Sequence, residues 1–153
     1  MIKKKVLKGL YCLIIFNNED KCLKIGSLKH IFFKKGYYVY IGSAMNSLIA
    51  RLKRHLSKDK KKHWHVDYFL SSKNVEIEEI FYYVGEKRLE CEIAKLINGK
   101  EINSFGCSDC NCNSHLKYFN NYEDCIKSVQ KAFIDLNIEY YDLNDYNNYI
   151  NQN

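Results

Sequence analysis

Residues 6–16, VLKGLYCLIIF, are apolar at almost every position, and the turn-forming NNED follows them. A strand sends alternate side chains to opposite faces, so a run that is apolar at both parities is buried on both sides. Such a strand belongs at the centre of a sheet, and the rest of the chain must cover both faces. Residues 21–26 and 28–33 are short strand candidates around Gly26, and Gly36 precedes YYVYI, a run of strong β-formers. Residues 75–84, VEIEEIFYYV, read as a further strand. These segments are expected to form one small antiparallel sheet in an α+β domain, and 153 residues suffice for one such core.

Three helices supply the covers. Ser47 is a plausible N-cap for a helix running to about Leu56. At 100° per residue, Leu48, Ile49, Leu52 and Leu56 share one arc, and Arg51, Arg54, His55 and Lys58 share another. The second stripe is cationic and is expected not to compete with packing. A second helix is expected over 87–98, ended near Gly99, and a third over 123–136, capped by Asn120 or Asn121. Residues 103–115 read as loop. Domain boundaries are placed at 1–136 for the folded unit and 137–153 for an acidic, Tyr- and Asn-rich tail, partly frayed.

The second helix carries an acid where an apolar residue is due. Its apolar arc is Leu89, Ile93, Ala94, Leu96 and Ile97, and Glu90 falls inside it; Glu92 points away, beside Arg88 and Lys95. A carboxylate on a packing face costs several kcal/mol unless something compensates it. The compensation is an arginine such as Arg51 or Arg54, a metal ion or a hydrogen-bond network, and helix geometry alone does not choose among them.

Charge is unevenly spread. Between Arg51 and His65 the chain carries Arg51, Lys53, Arg54, Lys58, Lys60, Lys61 and Lys62 against the single acid Asp59. No Lys or Arg follows Lys131, while Asp135, Glu139, Asp142 and Asp145 do. A concentrated basic segment suits a polyanion, although the Lys58–Lys62 run by itself reads as a solvated loop. The N-terminus has the basic start and apolar stretch of a signal peptide, but Lys8 interrupts it and no cleavage pattern follows. No stretch approaches a membrane span. Seven cysteines without an export signal are expected to be thiols, and the protein is expected to be cytoplasmic.

Gly9-Leu10-Tyr11 on the first strand, Tyr40-Ile41-Gly42 on a neighbouring one, Arg51 on the next helix and Glu90 on the helix after that stand in an order that resembles the GIY-YIG nuclease superfamily. The resemblance covers roughly residues 7 to 120. The blocks GYYVYIGSA, ARLKRHL, HWHVDYFL, ECEIA and FGCSDCNCNSHL look like those of its Uri-type branch. It implies a GIY-YIG-like fold and a metal-dependent endonuclease acting on DNA. Tyr11, Tyr40, Arg51, His55 and Glu90 match the catalytic positions, and Glu90 would hold Mg²⁺ or Mn²⁺. Gly42 matches the glycine that lets the backbone approach closely. Arg51 would stabilise the transition-state charge and Tyr11 would relay a proton from water, its phenolate favoured by the nearby positive charge. Two departures stand out. The gap between GLY and YIG is long and implies an extra hairpin, and the asparagine that many members place after the glutamate has only Asn103 as a candidate here.

Arg54, Lys58, Lys61 and His65 are the candidates for contacting nucleic acid. His65 and Asp67 either orient each other near the site or read the substrate, and Trp64 reads as a buried structural residue or as a base-stacking one. Cys107, Cys110, Cys112 and His115, with Cys91, offer enough soft ligands for a structural Zn²⁺ site. A strong zinc signature has two separated pairs, however, and here one cluster supplies nearly all the candidates, so reduced thiols packed in a small loop are the alternative. Three functions follow: a DNA endonuclease, a catalytically silent nucleic-acid-binding module of the same fold, or a structural protein held by a Glu90–Arg51 pair. Oligomeric state is not encoded in any visible seam.

Overall fold

A computed structural model describes residues 7–27, 29–102, 105 and 114–152. β1 (Gly9–Asn17) takes the central place its two-sided apolar pattern demands. It pairs antiparallel with β4 (Gly36–Ala44) on one edge and with β5 (Val75–Val84) on the other. β7 (Leu116–Phe119) continues beyond β4, and β6 (Lys100–Glu101) closes that side. β8 (Tyr141–Asp142) closes the other side against β5. The result is a six-stranded antiparallel sheet of order β6-β7-β4-β1-β5-β8, flanked by helices: an α+β fold.

Parity along β1 sorts the two cores. Tyr11, Leu13 and Ile15 point to one face, where α1 (Leu48–Leu56) and α2 (His65–Leu70) bury Leu48, Leu52, Val66 and Phe69 against them. Leu10, Cys12 and Ile14 point to the other, covered by α3 (Glu90–Leu96) and α4 (Tyr122–Asp135) through Ile93, Ala94, Val129 and Phe133. α4 starts where its sequence says: Asn121 caps it, its side chain accepting from the Asp124 N–H at 2.9 Å.

Four expectations need correction. The hairpin of β2 (Lys21–Lys24) and β3 (His30–Phe33) does not join the main sheet but forms a separate two-stranded ribbon. Both edges of β1 and of β4 are already occupied, by β5 and β7 among others, so the hairpin packs over the first face. There Phe33 stacks on Phe69 with ring centroids 4.3 Å apart. HVDYFL forms the short helix α2, a cover that strand-rich surroundings hid. The second helix is shorter than 87–98: Lys87 and Arg88 would put positive charge at the positive end of the helix dipole, whereas a start at Glu90 puts Glu90 and Glu92 in the first turn. Finally, residues 137–152 are not a frayed tail. β8 adds an edge strand and α5 (Leu143–Gln152) buries Tyr146 against the first core. Of the loop 103–115, only Phe105, Ser114 and His115 are among the described residues. No helix among the described residues is long and apolar enough to cross a membrane.

Ending the chain after Glu139 would strip β8 and α5 from β5 and uncover the buried ring of Tyr146. The expected loss is about 3 kcal/mol, comparable to deleting one large core side chain. A urea titration of the shortened protein measures it; an unchanged midpoint would mean that the C-terminal segment contributes nothing to the core.

Candidate active site

The site begins with a cross-strand pair. Tyr11 on β1 lies opposite Gly42 on β4. A Cβ on Gly42 would stand 2.5 Å from both Cζ and the hydroxyl oxygen of Tyr11. No side chain fits there, and this is the physical reason for glycine at that position: the phenol lies against bare backbone. Tyr40, two residues earlier on β4, points to the same face, its ring centroid 6.4 Å from that of Tyr11.

α1 then delivers His55 to this pair. The Tyr11 hydroxyl and His55 Nε2 are hydrogen-bonded at 2.7 Å, and the two side chains are 1% and 2% exposed. One member of the expected cationic stripe, His55, is therefore inside the protein, while Arg51 and Arg54 are half-buried and Lys58 is exposed. Burial, with the charges of Lys60, Arg51 and Arg54 adding to it, depresses His55 to about 3, so the imidazole is neutral at physiological pH. Its Nδ1 has no hydrogen-bond partner among the described residues.

The two phenols correct a second expectation. Burial raises Tyr11 well above the ordinary phenol range; the Arg51 guanidinium beside its hydroxyl pulls the other way and only partly offsets it. Tyr40 is raised as well, by burial first and then by Tyr11 and Glu90. The positive charge nearby does not produce a resting phenolate, because desolvation of the charged form outweighs it.

Arg51 is half-buried and held from two sides. Its Nη1 donates to the Ser43 carbonyl at 3.1 Å, and its guanidinium lies 4.4 Å from the centroid of the Trp64 ring. Arg54 lies over the same ring at 4.3 Å and is forked onto Asp67, with Nη1 and Nη2 donating at 3.0 and 2.9 Å. Asp67 also accepts from the backbone N–H groups of His63 and Trp64, both at 2.8 Å. Burial alone would raise the Asp67 carboxyl; the Arg54 fork and these two amides outweigh it and hold it below the usual range. Asp67 and Trp64 thus anchor the segment that positions Arg51. Sequence reasoning gave Trp64 a structural reading, and its neighbours at Arg51 and Arg54 come from the tertiary fold.

Glu90 opens α3, half-buried, and its charge acts on Tyr11, Tyr40 and His115. Among the described residues neither Arg51 nor Arg54 forms an ion pair with it. The compensation left open above is therefore not an arginine. His115, buried just before β7, and Cys91, next to Glu90, each place a ligand atom within 4.8 Å of the carboxylate. Cys107, Cys110, Cys112 and Asn103 lie outside the described residues.

The four nucleic-acid candidates divide. Lys61 is exposed. Lys58 donates to the carbonyls of Val75 at 2.6 Å and Leu70 at 3.4 Å, tying α1 to β5. Arg54 serves Asp67, and His65 packs edge-on to Phe105, ring centroids 5.9 Å apart. Lys60 donates to the terminal carbonyls of α1, at 2.9 Å to His55 and 3.3 Å to Arg54.

The model of the family described as Domain of unknown function DUF123 matches residues 10–138. No curated protein and no solved structure matches the chain.

Two outcomes test the geometry. Gly42→Ala must push the Tyr11 ring off its bed and is expected to cost about 1–3 kcal/mol by thermal denaturation, with loss of the Tyr11–His55 contact. The neutral His55 makes stability depend on pH. The unfolded chain takes up a proton below about pH 6.5 while the folded one does so only near 3, so stability is full above that range and falls as pH drops through it. Between pH 6.5 and 4.5 the wild type is expected to lose roughly 1.4 kcal/mol per pH unit more than His55→Gln. Parallel unfolding curves for the two proteins over that range would contradict a buried neutral imidazole.

Proposed function

The chain belongs to the family Domain of unknown function DUF123, and from that premise and the site geometry we propose that it is a GIY-YIG-type, metal-dependent endonuclease that hydrolyses phosphodiester bonds in DNA. The observation that carries this reading is the convergence of Tyr11, Tyr40, His55, Arg51 and Glu90. Two phenols and a neutral imidazole form a buried wall, and a half-buried arginine and carboxylate stand in front of it. Phosphodiester hydrolysis needs a positioned water, an electrophilic clamp on the phosphate and a route for the water's proton.

The residues divide these tasks. With the Tyr11 O–H donating to the neutral His55 Nε2, the phenol oxygen keeps its lone pairs for an incoming water. As the water oxygen bonds to phosphorus, its proton passes to the Tyr11 oxygen and the Tyr11 proton passes to His55, whose charged form, disfavoured by burial at rest, is offset by the negative charge gathering on the phosphate; His55 then releases that proton to solvent. The bond from phosphorus to the leaving sugar oxygen breaks, and that oxygen is protonated from solvent. Tyr11 acts as a neutral relay, which suits its raised pKa. Arg51, oriented by Ser43 and Trp64, meets the phosphate oxygens where negative charge builds. Glu90 offers the single hard oxygen by which Mg²⁺ or Mn²⁺ is held together with waters, and the ion would supply further polarisation of the phosphate. The exposed Lys53, Lys61 and Lys62 supply positive charge along the approach from α1.

A binding module without turnover is the second reading. The depth of Tyr11 favours it, since a phenol 1% exposed is reached by a water only at the edge of the site.

The deciding experiment incubates the protein with plasmid, branched and single-stranded DNA, with Mg²⁺, Mn²⁺ or chelator. Metal-dependent cutting is expected, abolished in Glu90→Ala with DNA binding retained. Arg51→Ala is expected to slow cutting about 10²–10³-fold. Salt-sensitive binding with no cutting of any substrate would leave the binding module. Neither binding nor cutting would end both readings.

A further inference from the structure

Glu90 and Cys91 open α3, and His115 stands before β7; one ligand atom from each lies within 4.8 Å of the other two. The donor chemistry is mixed. A carboxylate oxygen, a thiolate sulfur and an imidazole nitrogen are each good zinc ligands, while Mg²⁺ would leave the sulfur and the nitrogen idle. The spacing is close to what such an ion needs. Bonds of about 2.0–2.3 Å at tetrahedral angles put ligand atoms roughly 3.3–3.8 Å apart, so small side-chain rotations close the set.

The frame around it is stiff. The His115 N–H donates to the Phe105 carbonyl at 2.8 Å, and its own carbonyl accepts from the Ile41 N–H at 2.9 Å. That fixes His115 to the strand next to Tyr40. Glu90 and Cys91 ride on a helix whose Ile93 and Ala94 are buried in the second core. The electrostatics also call for a cation. Arg51 and Arg54 are turned to Ser43, Trp64 and Asp67, and no Lys or Arg pairs with Glu90 among the described residues.

We propose that Glu90, Cys91 and His115 are ligands of a zinc-class divalent cation. Binding takes the Cys91 thiol proton to solvent and puts the thiolate sulfur on the metal, beside a neutral His115. Cys91 and His115, which the sequence grouped with Cys107, Cys110 and Cys112, are joined here by Glu90; the three loop cysteines lie outside the described residues. The site shares Glu90 with the hydrolytic reading, but it stands whether or not the protein cuts DNA.

The test is optical. Protein stripped with chelator is titrated with Co²⁺ under reducing conditions, and the thiolate-to-cobalt charge-transfer band and the tetrahedral visible bands are recorded. The wild type and the combined Cys107→Ser, Cys110→Ser, Cys112→Ser variant are expected to show both. Adding Cys91→Ser to the combined variant is expected to abolish the thiolate band. Glu90→Gln and His115→Gln are expected to weaken Co²⁺ binding by more than the roughly 10–100-fold that an outer-shell partner is worth. Zn²⁺ should displace Co²⁺, and excess Mg²⁺ should not. No thiolate band in the wild type, a band lost in the combined variant, or one that survives when Cys91→Ser is added to that variant would each overturn the assignment. Cleavage is scored separately on the same samples. Cobalt binding without cutting on any substrate or metal removes only the hydrolytic reading, and Mg²⁺-dependent cutting without the band removes only the metal site.

Discussion

One hydrogen bond joins the centre of the sheet to the helix that lies on it. Tyr11 and His55 meet at 2.7 Å across 44 residues of chain, out of contact with solvent. A bond buried this deeply is modest in net energy but expensive to break on one side only, because the abandoned partner has no water to turn to. It therefore fixes the rotation of α1 on the sheet. Once that rotation is set, Leu48 and Leu52 enter the core and Arg51 and Arg54 come to the rim, where Trp64 and Asp67 can hold them.

The same contact shapes the chemistry of the site. Burial keeps His55 neutral and both phenols protonated, and the charged groups are pushed outward to Arg51 and Glu90. A low-dielectric wall with charge only in front of it is suited to recognising an anion, since fixed charges at the edge of such a surface are less screened than in water. The position of Asp67 shows how far the support extends. Its hydrogen bonds among the described residues go to none of the five converging side chains, yet through Arg54 and the amides at 63 and 64 it holds the segment carrying Trp64.

Much of the fold was legible in the chain. The two-sided apolarity of VLKGLYCLIIF identified the central strand, and the period of α1 and the Asn121 cap of α4 placed two helices correctly. These are local signals, written by the nearest neighbours in sequence. The misplaced elements depended on something distant. The hairpin of β2 and β3 was excluded from the sheet because β7 had taken the free edge of β4, and the four residues of β7 carry no strong pattern. The C-terminal segment looked frayed because its Tyr and Asn content is polar; it folds because β5 offers it an edge.

The candidate site divides in the same way. A resemblance in the order of short motifs singled out Tyr11, Tyr40, Gly42, Arg51 and His55, and the apolar arc of the second helix singled out Glu90 independently. The burial that makes His55 neutral and Tyr11 hard to ionise was invisible, since desolvation belongs to the packed interior and not to any one residue. Nor could sequence say that Glu90 is left without an arginine while Cys91 and His115 draw near it. That outcome depends on where Arg51 and Arg54 find their partners, and only the tertiary structure decides it. Sequence determined which groups this protein possesses; the fold determined which of them are charged, which are buried and which of them meet.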